Sequence, residues 1–190
     1  YTLGATAPLS AMDASICMGA SVSSLHGFNK AIGAEAEKKS VAVIGDSTFI
    51  HSGITGLIDI AYNKSNSVVM VLDNSITGMT GHQQNPTTGY TIKGDPTSAV
   101  NLEALCHAVG IARVRVVDPY NLKETEQAVR EELEADGPSV IICRRPCALL
   151  KYVKHNPPLT IDPDRCIGCK RCLGIGCPAN SIHMTKAEID

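Results

Sequence analysis

Lys39-Ser40-Val41-Ala42-Val43-Ile44-Gly45-Asp46-Ser47-Thr48 and Val68-Val69-Met70-Val71-Leu72-Asp73-Asn74-Ser75-Ile76 decide the fold of this chain. They are the two poles of the stretch from Lys39 to Gln83. Each holds a short apolar run rich in β-branched residues, and each run breaks into polar turn residues. Runs of this length and composition read as strands buried on both faces, the habit of parallel sheets. The segment between them, Ile50 to Tyr62, is long enough for a crossover helix. The unit is therefore βαβ, with its polar residues at the carboxyl ends of both strands. Open α/β sheets bind their ligands there.

A metal-diphosphate site suits this arrangement. Asp46 follows the first strand and Asn74 the second, so neighbouring strands would turn both side chains toward one crevice. Mg²⁺ takes octahedral oxygen ligands and usually keeps phosphate oxygens among them. Gly45 lets the backbone come close, and the amides of Ser47, Thr48 and Phe49 open a helix whose N-terminus favours an anion. Counted inclusively, Gly45 to Asn74 is thirty residues. A Gly-Asp turn after a strand is common in itself; the second element at matched spacing is what favours a cofactor site over a plain sheet-end turn.

A segment of this length, opening Gly-Asp-Ser and closing Asp-Asn, resembles the thiamine-diphosphate motif. The fuller wording, Gly45-Asp46-Ser47-Thr48-Phe49-Ile50-His51-Ser52-Gly53 and Asp73-Asn74-Ser75-Ile76-Thr77-Gly78-Met79-Thr80-Gly81-His82-Gln83, is similar to large subunits of the 2-oxoacid:ferredoxin oxidoreductase family, in its indolepyruvate branch. The likeness runs from Tyr1 to the cysteine-rich end. It implies Mg²⁺ held by Asp46, Asn74 and the Ile76 carbonyl, with Gly19, Gly45, Ser47 and Thr48 beside thiamine diphosphate. Ser47 and Asp73 depart from the glycine and asparagine that many members carry.

The composition sets outer bounds. With 190 residues, 44% of them hydrophobic, the chain can bury one ordinary core and carry a small appendage. Seventeen basic against 19 acidic residues give a net charge of −2, which offers no footprint for nucleic acid or an anionic membrane. No apolar run approaches the ~18–20 residues of a membrane span. The start shows neither methionine nor a signal peptide, and the chain reads as a fragment of something longer.

Along the chain, Ser10–Asp13 is expected to open a helix running to Ala31, with Gly19 inside it. The resemblance puts this segment beside the cofactor; plain helix-sheet packing is the alternative, with His26 a packed histidine. His51 and His82 are the candidate catalytic residues. His51 stands at the start of the crossover helix, His82 in a long aperiodic loop from Ile76 to Ala99 that follows the metal-ligand strand. His51 can equally be an N-terminal helix residue bonding to backbone, and His82 an exposed polar loop histidine. Asn101–Val109 reads as a helix with Cys106 in the core, and 112–117 as a third strand. Asn121–Ala135 reads as an amphipathic helix with Leu122, Ala128, Val129 and Leu133 inward and Glu131, Glu132 and Glu134 solvated. Val140–Cys143 reads as a fourth parallel strand. Arg144 and Arg145 would pair with a phosphate or a carboxylate, or lie at the surface. The expected fold is an open, mostly parallel α/β sheet with helices on both faces over residues 1–150. A linker at 151–158 and a small, truncated ferredoxin-like segment at 159–190 complete the chain.

That last segment holds Cys166, Cys169, Cys172 and Cys177 within twelve residues. Three thiolates at two-residue gaps, then a fourth followed by proline, make the pattern that wraps a [4Fe–4S] cluster in bacterial-type ferredoxins. Four residues rather than three separate Cys172 from Cys177, which changes how Cys177 is aimed. Structural zinc also uses four cysteines, but usually as two separated Cys-x-x-Cys pairs. A core-bearing chain with clustered cysteines fits a reducing, cytoplasmic setting better than a disulfide scaffold.

Taken with the iron-sulfur run, the resemblance implies oxidative decarboxylation of aryl 2-oxo acids, indolepyruvate foremost, to acyl-CoA and CO₂ with reduction of ferredoxin. Pyruvate or 2-oxoglutarate as substrate, and a non-oxidative decarboxylase, are the alternatives. It also implies a hetero-oligomer with a smaller subunit, and a fragment inactive by itself.

Overall fold

The computed structural model describes residues 2–154, 159–175, 180–183 and 186–189. In chain order the elements are α1 (Thr2–Ala5), α2 (Ala20–Ile32), α3 (Ala34–Glu37), β1 (Val41–Gly45), α4 (Asp46–Thr48), α5 (Ile54–Tyr62), β2 (Val68–Asp73), α6 (Leu102–Ala108), β3 (Arg113–Val117), α7 (Leu122–Glu134), β4 (Ser139–Arg144), β5 (Asn180–His183) and β6 (Lys186–Ile189). A π-helical turn, Phe49–Gly53, joins α4 to α5, so the backbone is helical without a break from Asp46 to Tyr62. Such turns are rare in helices and cluster at functional sites.

Two units divide the chain: Ile16–Val153, and Tyr1–Ser15 together with Lys154–Asp190. The boundary differs from the expected one at the N-terminus. Among the described residues, 2–15 add no strand to the main sheet; the Ala11 N–H to Gly4 and Ser10 N–H to Thr6 backbone bonds are local.

In the larger unit the strands run β1-β2-β4-β3, all parallel, with Gly45 opposite Leu72 and Asp73 opposite Arg144. Alternate residues face opposite sides, as strand geometry requires. Ala42, Ile44, Val69, Val71, Val140 and Ile142 pack under α2, α5 and α6, against Val22, Leu57, Ile60, Leu102 and Cys106. Val68, Ile141 and Cys143 face the other side with Val117 and Ala128, the latter from α7. Helices thus cover both faces. Burial in the first cluster pushes the Cys106 thiol up to about 11, so it behaves as a small apolar residue.

Two helix readings need correction. α2 starts at Ala20, not near Ser10, because Gly19 takes φ +90°, a left-handed conformation that no helix interior contains. In α7, Leu122 is 74% exposed while Glu132, expected in solvent, is only 4% exposed. The cause is β3: Arg113 Nε lies 2.8 Å and Arg115 Nε 2.9 Å from the Glu132 carboxylate. A carboxylate pairs with two guanidiniums across the strand-helix seam, which no apolar period can reveal. α6 and α7 are capped by asparagine side chains, Asn101 accepting from Ala104 N–H and Asn121 from Glu124 N–H.

The smaller unit holds a 3₁₀ turn, Arg171–Ile175, and the antiparallel pair β5-β6. No helix among the described residues is long and apolar enough to cross a membrane.

Candidate functional site

The strand ends supply the site. Gly45 ends β1, and Asp46 opens the helical run directly after it. On the adjacent strand Asp73 ends β2, and Asn74 starts the turn beyond. This turn is built by its own side chains: Asp73 Oδ1 accepts from Ser75 N–H at 3.1 Å, and Asn74 Oδ1 from Ile76 N–H at 3.3 Å. Short polar side chains that bond backbone two residues on are what make such turns. Ser75 sits at φ +61° within it. From the β4 side, Arg145 N–H donates to the Asp73 carbonyl and Cys147 N–H to the Asn74 carbonyl, at 3.0 and 2.9 Å. The position of Asn74 is thus held from both directions.

Asp46 is 3% exposed. The long loop returns over it: Asn85 Nδ2 donates to Asp46 Oδ2 at 3.3 Å, and the Thr87 hydroxyl donates to the same oxygen at 3.2 Å. Asn85 Nδ2 also reaches Thr77 Oγ1 at 3.4 Å, which draws Asp46, the 74–77 turn and residues 85–87 into one cluster. Burial pushes the Asp46 carboxyl above the usual carboxylate range, and neighbouring Asp73 pushes the same way. The Ser47 amide, Asn85 and Thr87 pull against this. Among the described residues Asp46 makes no ion pair.

Gly19 lies against the same helical run. A Cβ there would stand 2.4 Å from Ser52 Oγ, and Ser52 Oγ donates to the Thr48 carbonyl one turn back at 3.2 Å. Gly45, Ser47 and Thr48 are half-buried at the start of the run, and Gly45 as cap offers its first amides no side chain. His51 and His82 are both exposed, His82 at φ +63°, and among the described residues no side-chain hydrogen bond or ion pair joins either to Asp46. His26 instead pairs with Asp59, its Nε2 3.3 Å from the carboxylate, on the α2–α5 side of the sheet. The arginines after β4 are engaged by protein carboxylates: Arg144 by Asp73 and Glu103, Arg145 by Asp118 with its guanidinium over the Tyr120 ring.

Asn85 and Thr87 were not singled out by sequence. The signal was present: Asn85 precedes a proline, and its side chain accepts from Thr87 N–H at 2.8 Å, a turn that Asn-Pro-Thr announces. What no local pattern reveals is the contact with Asp46, thirty-nine residues upstream. Of the cysteine run, Cys166 and Cys172 are half-buried and Cys169 exposed; Cys177 lies outside the described residues. Among the described residues no group of three or more His, Cys, Asp or Glu side chains is arranged to hold a metal ion.

An open parallel sheet with polar groups collected at the carboxyl ends of neighbouring strands defines an α/β protein that binds its ligand at that edge. The chain belongs to the thiamine pyrophosphate enzymes, through their C-terminal TPP binding domain, whose family model matches residues 2–143. Over its whole length it is 41% identical to indolepyruvate oxidoreductase subunit IorA of Pyrococcus horikoshii, covering 32% of that protein. It is 40% identical to the subunit of the same name from Archaeoglobus fulgidus, again over its whole length and covering 31% of that protein. The chain therefore spans about a third of the length of these relatives. A solved 2-oxoglutarate:ferredoxin oxidoreductase from Magnetococcus marinus shares the fold, with TM-score 0.54 and 19% identity over 67% of this chain and 48% of that one.

The residues present suit the family's cofactor with Mg²⁺. Asp46, the Asn74 amide and the Ile76 carbonyl are hard oxygen donors, the kind Mg²⁺ takes. Asp46 is also a buried carboxylate held only by neutral groups, which leaves its charge to be answered by a cation.

Proposed function

We propose that this chain is the cofactor-binding part of an enzyme that oxidatively decarboxylates aryl 2-oxo acids, indolepyruvate foremost, to acyl-CoA and CO₂. The two electrons released pass singly to ferredoxin. The whole-length similarity to proteins named indolepyruvate oxidoreductase subunit supports this reading. The single structural observation that carries it is buried Asp46, without a cationic partner among the described residues, beside the Asn74 turn at adjoining strand ends.

In this reading Asp46, Asn74 and the Ile76 carbonyl hold Mg²⁺. The first amides of the helical run from Ser47 receive the diphosphate, which a helix N-terminus favours. Gly19 keeps the backbone close to that run. Asn85 and Thr87 fix one oxygen of Asp46, so the carboxylate meets the cation in one orientation. Thiamine diphosphate, when bound, supplies the electron sink that lets a 2-oxo acid lose CO₂. His51 and His82 would contact substrate from exposed positions. The spacing of Cys166, Cys169, Cys172 and Cys177 supports a [4Fe–4S] cluster as electron acceptor. A smaller partner subunit and a cytoplasmic setting complete the proposal.

The test is anaerobic turnover of the full-length protein with its partner subunit, Mg²⁺, thiamine diphosphate, CoA and a low-potential dye. Dye reduction should favour indolepyruvate and phenylpyruvate over pyruvate and 2-oxoglutarate. CO₂ release without dye reduction would overturn the oxidative reaction, and preference for pyruvate or 2-oxoglutarate would overturn the aryl specificity.

A further inference from the structure

Two carboxylates stand at the strand ends where one is needed. Asp46 follows β1, Asp73 ends β2, and the register that sets Gly45 opposite Leu72 carries these two to the same level of adjoining strands. Both are buried, Asp73 at 7% exposure. A second bare carboxylate here would repel a diphosphate and compete with Asp46 for the cation.

Asp73 is not bare. Its Oδ1 accepts from Ser75 N–H, and its Oδ2 accepts from Arg144 Nε at 2.7 Å. The far edge of the same guanidinium grips Glu103, Nη1 to Oε1 at 3.0 Å and Nη2 to Oε2 at 2.8 Å. Such two-sided, charge-assisted bonding is the strength of arginine, and lysine cannot reproduce it. Asp73 lies three residues before Ile76, where the long loop starts, and Glu103 two residues after Asn101, where α6 is capped. One side chain therefore spans both stems of the loop that carries Ile76, Asn85 and Thr87.

We infer that Arg144 is a positioning residue for the Mg²⁺–diphosphate site: it offsets the charge of Asp73, leaving Asp46 as the buried site carboxylate without a cationic partner among the described residues, and it ties together the two stems of the loop between them. The inference rests on the cofactor site proposed above. Charge cancellation is the part that distinguishes it from a purely structural brace. A brace would be lost with the guanidinium and could not be restored by altering Asp73. A charge left unanswered by losing the guanidinium can be relieved by removing the Asp73 charge itself.

The experiment is calorimetric titration of thiamine diphosphate, at fixed Mg²⁺, into the full-length protein. Arg144→Gln should weaken binding by about 10–100-fold, the usual effect of removing a group that orients a metal ligand. Asp73→Asn added to Arg144→Gln should recover most of that loss. Asp46→Ala, which should abolish Mg²⁺-dependent binding, separates this inference from the reading it rests on. Unchanged binding in Asp46→Ala would overturn the site and the inference together. Loss in Asp46→Ala with no change in Arg144→Gln would overturn the inference alone. Loss in Arg144→Gln that Asp73→Asn does not recover would reduce Arg144 to a brace and overturn its electrostatic role. Where Arg144→Gln fails to fold, Asp73→Asn alone decides. It should keep Mg²⁺-dependent binding, and a loss as complete as in Asp46→Ala would make Asp73 a ligand and overturn the inference.

Discussion

Asn85 Nδ2 lies 3.3 Å from Asp46 Oδ2, and this bond joins a loop with neither helix nor regular strand to the first turn after β1. Asn85 is itself buried and reaches Thr77 as well. It is the loop's main anchor on the site. Asn85→Ala is expected to cost about 1–3 kcal/mol, the range for leaving a buried polar partner unsatisfied. Asn85→Asp should be worse for cofactor binding, because it sets a further carboxylate against Asp46. Denaturant unfolding and Mg²⁺-dependent thiamine diphosphate titration of the two variants check this. Equal cofactor affinity in both would show that the loop does not govern Asp46.

Gly19 faces two separate demands. Its φ of +90° disfavours any side chain, and a Cβ would lie 2.4 Å from Ser52 Oγ. Gly19→Ala should therefore destabilise by about 1–3 kcal/mol from overpacking, with about 1–2 kcal/mol more from the left-handed backbone. Ser52→Gly in the same chain should relieve the first part and leave the second. Thermal unfolding of the single and double variants measures both. Full recovery in the double variant would contradict the backbone share.

The Asp46 carboxyl gives a pH dependence of definite sign. Burial first, and Asp73 after it, raise its folded value above that of the unfolded chain. Between the two values the folded state binds more protons, so stability falls as pH rises through that window, and the loss is complete above the folded value. Asp46→Asn should lack this component and be the more stable protein at neutral pH without Mg²⁺. Mg²⁺ binding to the wild type should weaken as pH falls through the same window, since the ligand must ionise. Denaturant unfolding of both proteins across acid to neutral pH tests the sign. A wild type that gains stability over Asp46→Asn with rising pH, in the absence of metal, would reverse it.

Glu132 carries the seam between β3 and α7. It is buried between Arg113 and Arg115, and Arg113 Nη2 also donates to the Gly137 carbonyl at 2.7 Å just past the helix end. Glu132→Gln is expected to lower stability by ~1.5–3 kcal/mol, the range for hydrogen bonds to charged groups. Glu134→Gln, on an exposed residue paired with Lys38, should change it little. Similar effects of the two substitutions on unfolding midpoint would deny Glu132 its special place.

The strands and their order of appearance were legible because burial on both faces imposes unbroken β-branched runs, and Val41–Gly45, Val68–Asp73 and Ser139–Arg144 carry them. The Gly45–Asp46 and Asp73–Asn74 turns were legible for a local reason too, since a strand must end in residues that tolerate a turn. The crossover helix and the helices that begin near Asn101 and Asn121 belong with these. All of them depend on residues close in sequence.

The rest depended on groups that meet only after folding. Strand order β1-β2-β4-β3, with β4 entering between β2 and β3, cannot be read from any single run. Glu132 looked like a solvated charge until β3 set two arginines against it. Arg144 looked equally fit for a ligand or for solvent until β4 placed it opposite Asp73 and α6 brought up Glu103. Asn85 was one residue of an aperiodic loop until that loop folded back on Asp46. Apolar periodicity and turn chemistry act over a few residues and write themselves into local sequence. Charge pairing and long-range hydrogen bonding act between surfaces that the sheet brings together, and only the folded chain decides which carboxylate is answered by an arginine and which is left for a cation.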